Sequence, residues 1–418
     1  MKKYLLAAVL CLSAAVTFAQ NKALRDAEFE LKSASPNIAD ARAAVKRALE
    51  NSETANLAKT WYLAGAVENR QFEIERDKIS TQDVTGQKPK EDVMYPALDA
   101  VYPYFLKAIE LDRLPNEKGK VSPKYIKQIK TILWNNRPYY QNSGLFFYNR
   151  KDYKKAYENF RTYGDIAALD IYDEKDRKKW DLIDTVETQN RYNAGLMALQ
   201  AGLHDETIEL FEEIKDSGYN EEEIHINLAM EYQLKHDTVN FERIIAAGYG
   251  KFPDSEVLLK NMIQIKLDRK DIDGAILIIE AAIASDPGDA QWYDVLGLVY
   301  ENMKDSERAS EYYRKALELE PDRTEYNLHY GIALHNLGFV ARQDANAEKD
   351  DSRYRELKGR SDDYFRLCMP YLRKVYEDEP DNKTAIRGLH QVYYSLNMGK
   401  ELDEIEPAYK RHFGGGEK

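Results

Sequence analysis

The sequence predicts an all-α fold, an α-α superhelix of about six to eight helix-pair units interrupted by two insertions. Three observations carry this. Pro253, Pro287 and Pro321 stand 34 residues apart, a period that marks stacked helical arrays. Small and bulky residues recur at matching offsets, with Ala275 and Ile279 ahead of Pro287 and Ala309 and Tyr313 ahead of Pro321. Glycine and proline are sparse, at 21 and 13 of 418 residues, and 43% hydrophobic with 32% charged content suits packed helices rather than disorder. A chain of this length exceeds what one core serves.

Residues 1–19 read as a signal peptide. Lys2 and Lys3 precede the largely apolar Tyr4 to Val16, and Thr17-Phe18-Ala19 offers a cleavage site before Gln20. The apolar run is too short to span a bilayer, and no other run is long enough. Residues 20–187 form an irregular helical region. Ala41, Val45 and Ala48 mark a second helix whose partner lies near Leu24–Lys32, with Pro36 between them. Trp61 and Ala64-Gly65, then Phe105 and Ala108, are two halves of one unit, separated by a polar insertion at about Arg76–Tyr95. Pro138–Asp170 is another unit, with Gly144, Phe147, Ala156 and Phe160. The next segment, to Glu187, breaks the period.

Residues 188–323 hold four units in one frame. The last, Ala290–Arg323, carries Leu296-Gly297, Tyr300, Ala309, Tyr313, Ala316 and Pro321. That order resembles the tetratricopeptide repeat: L-G-x-x-Y, A-x-x-x-F, then P. Gly297 and Ala309 are small where the two helices cross, and Pro321, lacking an N–H, ends the second. Residues 324–411 are further repeat-like units. Pro380 follows Pro321 by 59 residues, so 25 are inserted, around Phe339–Arg360, where a charged stretch lengthens the helices into a protrusion. This third also resembles exported repeat proteins of Bacteroidetes, through Asn327 to Gly331, Pro380-Asp381-Asn382 and Tyr393 to Met398. Residues 412–418 are a flexible tail.

The net charge is −12, from 60 basic and 72 acidic residues, and no basic stripe stands out. Nucleic acid, which needs clustered Lys and Arg, is not an expected partner. Beyond Cys11 in the leader, Cys368 is the only thiol, so no intrachain disulfide is expected. No hydrolase, zinc-protease, phosphate-loop or dinucleotide motif is present. No catalytic residue, cofactor or metal is expected, and the chain is not read as an enzyme. Asp271-x-Asp273-Gly274 matches part of a calcium loop, but Arg269 occupies the first ligand position, so it reads as a helix–helix link.

The repeat resemblance implies that the first helix of each unit lines a concave groove. Matching positions are Gln141, Leu145 and Tyr148; Tyr192, Leu196 and Leu199; Ile226, Met230 and Gln233; Lys260, Gln264 and Leu267; and Asp294, Leu298 and Glu301. This mixed apolar and amide surface suits an extended peptide or a partner helix. The reading is therefore a non-catalytic scaffold exported to the periplasm of a Gram-negative bacterium, binding a protein or peptide partner in envelope assembly or transport. The alternative is a glycan or peptidoglycan fragment held in the groove, since the chain has 30 tyrosines and tyrosine gives contact area at low entropy cost. Asp184-Thr185-Val186 and Asp237-Thr238-Val239 resemble the O-glycosylation signal of Bacteroidetes, which makes Thr185 and Thr238 candidate acceptors.

Overall fold

The computed structural model describes residues 22–116, 118–179 and 184–414. The expected signal peptide lies outside these residues, as does the tail beyond Gly414. Every regular element among the described residues is an α-helix. The chain forms two compact units, Met1–Phe241 and Glu242–Lys418.

In the first unit, α1 (residues 22–32) packs on α2 (Ile38–Leu49) and buries Ala23, Leu24 and Ala27 against Ala41, Val45 and Ala48. The next pair is α3 (Ala58–Thr85) and α4 (Glu91–Asp112). The segment read from sequence as a polar insertion is thus mostly helix. It lengthens both partners, and Gly86, at φ 68°, turns the chain between them. At that φ a Cβ meets steric conflict, so glycine fits.

The pair α5 (Ile126–Asn149) and α6 (Tyr153–Ala168) begins earlier than the sequence reading placed it. Pro138 lies inside α5 rather than at its start. The earlier start is fixed by Asp112, a buried carboxylate that accepts from the backbone N–H groups of Lys124, Tyr125 and Ile126. These N–H groups have no helical acceptor of their own. A short α7 (Glu174–Lys179) precedes the pair α8 (Asp184–Gln200) and α9 (His204–Ile214), and α10 (Glu221–Leu234) follows. The unit boundary falls inside α11 (Thr238–Lys251).

The second unit holds four complete pairs: α12 (Glu256–Asp268) with α13 (Ile272–Ser285), α14 (Ala290–Asn302) with α15 (Ser306–Leu319), α16 (Thr324–Ala347) with α17 (Asp351–Asp378), and α18 (Lys383–Ser395) with α19 (Gly399–Phe413). The second insertion lengthens α16 and α17 in the same way as the first lengthens α3 and α4.

One crossing contact recurs in both units. A Cβ built on Gly144, Gly195 or Gly297 would lie within 3.0 Å of the ring of Phe160, Phe211 or Tyr313, sixteen residues later in each case. Gly65 meets Phe105 and Gly331 meets Leu372 in the same way, at separations of 40 and 41. The crossing is therefore conserved across the insertions, which add 24 and 25 residues between its two sides.

A second recurrence is the turn inside each pair. Residues 202, 236, 270 and 304 stand 34 apart and all have positive φ, and Lys151 and Asn397 repeat the conformation. After each, an N–H bonds a carbonyl five residues back, as Asp271 does to Lys266 and Asp305 to Tyr300. This closes the first helix with a left-handed residue. Asp152, Asp271 and Asp305 then cap the second helix by accepting from the N–H three residues on. Asp271 is thus a capping residue in a helix–helix link.

Candidate functional site

The candidate positions lie on first helices, and each unit presents its own set. In the first unit, α5 carries Gln141, half-buried, and Leu145 and Tyr148, which are 48% and 47% exposed. On α10, Met230 is 53% exposed, Gln233 is exposed and Ile226 is half-buried. Leu196 and Leu199 of α8 are half-buried. Tyr192 does not face solvent. Its ring packs against Phe211 and Tyr219, and its hydroxyl donates to Glu223 of α10 at 2.5 Å. Burial, reinforced by the Glu223 carboxylate, pushes this hydroxyl up to about 12.

In the second unit, the polar candidates bond within the protein. Lys260 donates to Glu256 at 2.6 Å and to Gln291 of α14 at 3.2 Å, and Gln264 donates to Asp268. Glu301 accepts the Tyr313 hydroxyl at 2.7 Å. Leu267 is half-buried against the core, and Leu298 is 37% exposed. Asp294, like Tyr192, is a correction to the sequence reading: it is 5% exposed, and its Oδ1 lies 2.7 Å from Nδ1 of His329 on α16. Burial pushes the His329 imidazole down, but the hydrogen bond and charge of Asp294, with Glu325 and Glu301 behind it, outweigh this and leave it above its ordinary range.

These contacts show what the register missed. Tyr192–Glu223 and Lys260–Gln291 are each 31 residues apart, and Asp294–His329 are 35 apart. All three tie the first helices of successive pairs. A polar residue answered about one period later is the signal that locates such links. Asp294, Glu325 and His329 also bring ligand-type atoms within 4.8 Å of one another, a grouping that scanning the histidines along the chain did not reveal. Asp294 and His329 already satisfy each other there.

Of the other features singled out, Cys368 is fully buried and its thiol is pushed up to about 12 by burial, so it is a packing residue with little thiolate character. Thr238 is exposed at the start of α11, while the side chain of Thr185 lies outside the described residues. The adjacent tyrosines divide as inward and boundary rings: Tyr140, Tyr313 and Tyr393 are buried, whereas Tyr139 and Tyr312 are half-buried and Tyr394 is exposed.

With this geometry in place, residues 290–323 match the family model described as tetratricopeptide repeat. That stretch, α14 with α15, is what is similar to a tetratricopeptide repeat. No curated protein matches the chain. Solved structures to which the chain is similar include Pseudomonas aeruginosa pilF, at 16% identity over 55% of this chain and 93% of that one, with a TM-score of 0.38. A TPR repeats protein from Bacteroides fragilis is similar at 17% identity over 62% of this chain and 98% of its own, with a TM-score of 0.29. YrrB, described as a TPR protein with an unusual peptide-binding site, is similar at 14% identity over 49% and 96%, with a TM-score of 0.34. No described helix is long and apolar enough to cross a membrane.

Proposed function

We propose that this protein is a non-catalytic tetratricopeptide-repeat scaffold that docks a protein or peptide partner on first-helix faces, chiefly that of its first unit. One observation carries the reading: Leu145 and Tyr148 of α5 and Met230 of α10 remain exposed on first helices, whereas Tyr192 of α8 is committed to internal packing. Large apolar side chains presented by rigid helices are the usual anchors of such interfaces. The candidate positions of the second unit serve less well, because Lys260, Gln264 and Glu301 are bonded internally. The leader-like residues 1–19 support export to a periplasm and work on envelope partners. A glycan-binding groove is not favoured, since Tyr192 and Tyr313 are spent on packing.

The test is crosslinking co-purification from the native host with wild type and a Leu145→Asp, Tyr148→Ala, Met230→Asp variant. Partners recovered by wild type and lost by the variant support the reading. An identical set from both returns the docking site to another surface. N-terminal sequencing of protein from the periplasmic fraction checks export, and a mature start at Gln20 is the expected result.

A further inference from the structure

Among the described residues, one group of side chains brings three different ligand-bearing residues together. Asp294 of α14 joins Glu325 and His329 of α16, and one ligand-type atom of each lies within 4.8 Å of the others. Glu325 and His329 are four residues apart on one helix, so they stand on the same face, one turn from each other. Asp294 comes from the first helix of the preceding pair, 31 and 35 residues earlier. About one repeat period separates the two sides of the set, which is why scanning the histidines along the chain passes over it.

The members differ in what else holds them. Asp294 is buried, and the Tyr313 ring stands 5.3 Å from the imidazole of His329, so packing fixes both. Oδ1 of Asp294 and Nδ1 of His329 share one hydrogen at 2.7 Å. Glu325 is exposed, and its carboxylate has no hydrogen-bond or ion-pair partner among the described residues. Glu301, whose negative charge also acts on His329, is taken up by the Tyr313 hydroxyl and stays out of the set. The other described histidine–carboxylate pairs, His204–Glu231, His390–Glu406 and His412–Asp381, gather no third ligand-type group.

One imidazole nitrogen with two carboxylates is a mixed donor set. It suits zinc and its transition-metal neighbours rather than magnesium or calcium, which take more numerous, all-oxygen ligands. We propose that Asp294, Glu325 and His329 bind a divalent transition cation, Zn²⁺ above all, with a water in the fourth position. Tetrahedral bonds of about 2.0 Å hold ligand atoms about 3.3 Å apart. The Asp294–His329 contact therefore opens by roughly 0.6 Å, and Glu325, held by no other partner, closes on the pair. The cation takes the place of the shared hydrogen, which leaves to solvent as a proton. Bound there, it ties α14 to α16, the first helices of successive pairs in the second unit. The site does not rest on the docking role proposed for Leu145, Tyr148 and Met230.

The test uses the untagged full chain, stripped with a chelator, dialysed and titrated with ZnCl₂, MgCl₂ or CaCl₂ in a calorimeter. One Zn²⁺ per chain is expected, bound at least about a hundredfold more tightly than Mg²⁺ or Ca²⁺. Glu325→Gln keeps the shape of an exposed side chain and should weaken Zn²⁺ by about tenfold or more, with helical content unchanged. His329→Gln should weaken it at least as much, whereas His412→Gln should bind as wild type does. Co²⁺ in place of Zn²⁺ reads the geometry: the visible absorption of a four-coordinate ion should appear with wild type and be lost in Glu325→Gln. No uptake of Zn²⁺, equal affinity for Zn²⁺ and Mg²⁺, or Zn²⁺ affinity unchanged in Glu325→Gln or in His329→Gln overturns the proposal.

Discussion

The side chains that tie first helices together are few, and each has a definite chemistry. His329 is the most informative. Its pKa lies above the ordinary 6.5 because Asp294 bonds and attracts it, helped by Glu325 and Glu301, against the opposing effect of burial. A base raised in the folded state binds its proton more tightly there than when unfolded. The stability it contributes is therefore fully present below about 6.5 and lost as the pH rises through the folded value. His335 behaves in the opposite sense: burial lowers its pKa, only partly offset by the Asn336 and Gln391 amides, so protonation below 6.5 disfavours the fold. Replacing His329 by Gln separates the two. Denaturant titrations should show a loss of about 1–3 kcal/mol near pH 6, shrinking as the pH is raised to about 9. An equal loss at both values would mean that the pair contributes by packing rather than by charge.

At the scale of the element, the helices, their close crossings and the helical character of the second insert were legible in the sequence because each obeys a local rule, whereas the first insert read as polar and is mostly helix. Gly297 faces Tyr313 sixteen residues on, and the prolines keep the frame. The start of α5 was not legible, because Asp112 caps it from the preceding pair, across the 12 to 14 residues that separate this carboxylate from the N–H groups it accepts. Nor were the roles of Tyr192 and Asp294: register fixes which face a residue occupies, not whether a neighbour one period away takes up its polar atoms. The turns carry a prediction of their own. Lys270 holds φ 59°, a conformation disfavoured for a residue with a Cβ. Lys270→Gly relieves that conflict and should raise unfolding stability by up to ~1 kcal/mol, the entropy cost of glycine taking back part of the gain. Thermal unfolding beside Lys270→Ala, which keeps the Cβ, isolates the effect, and only the glycine variant should gain.

At the scale of the molecule, each pair packs chiefly on its neighbours, so stability is close to a sum of pair and interface contributions. The last pair closes the second unit. Leu389 and Val392 of α18 and Ile405 of α19 join Leu334, Phe365 and Leu372 in one core. The last turn of α19 is polar, with Lys410, Arg411 and His412. Removing residues 381–418 should uncover Phe365 and Leu372, increase binding of a hydrophobic dye and favour aggregation, while far-UV circular dichroism still reports helix. A truncated protein that stays monomeric and binds no more dye than wild type would contradict this role.

The two lengthened hairpins give the chain a practical property. α3 and α17 have 28 residues each, against 13 for α12, so each runs on for about 20 Å more, at 1.5 Å per residue. Their tips, at residues 86–90 and 348–350, are far along the helix from the crossings at Gly65 and Gly331. They are natural handles, where a fluorophore or an affinity tag can be carried without touching a core side chain. A label at each tip lets the two units be followed separately, which 30 tyrosines and 4 tryptophans spread along the chain do not allow.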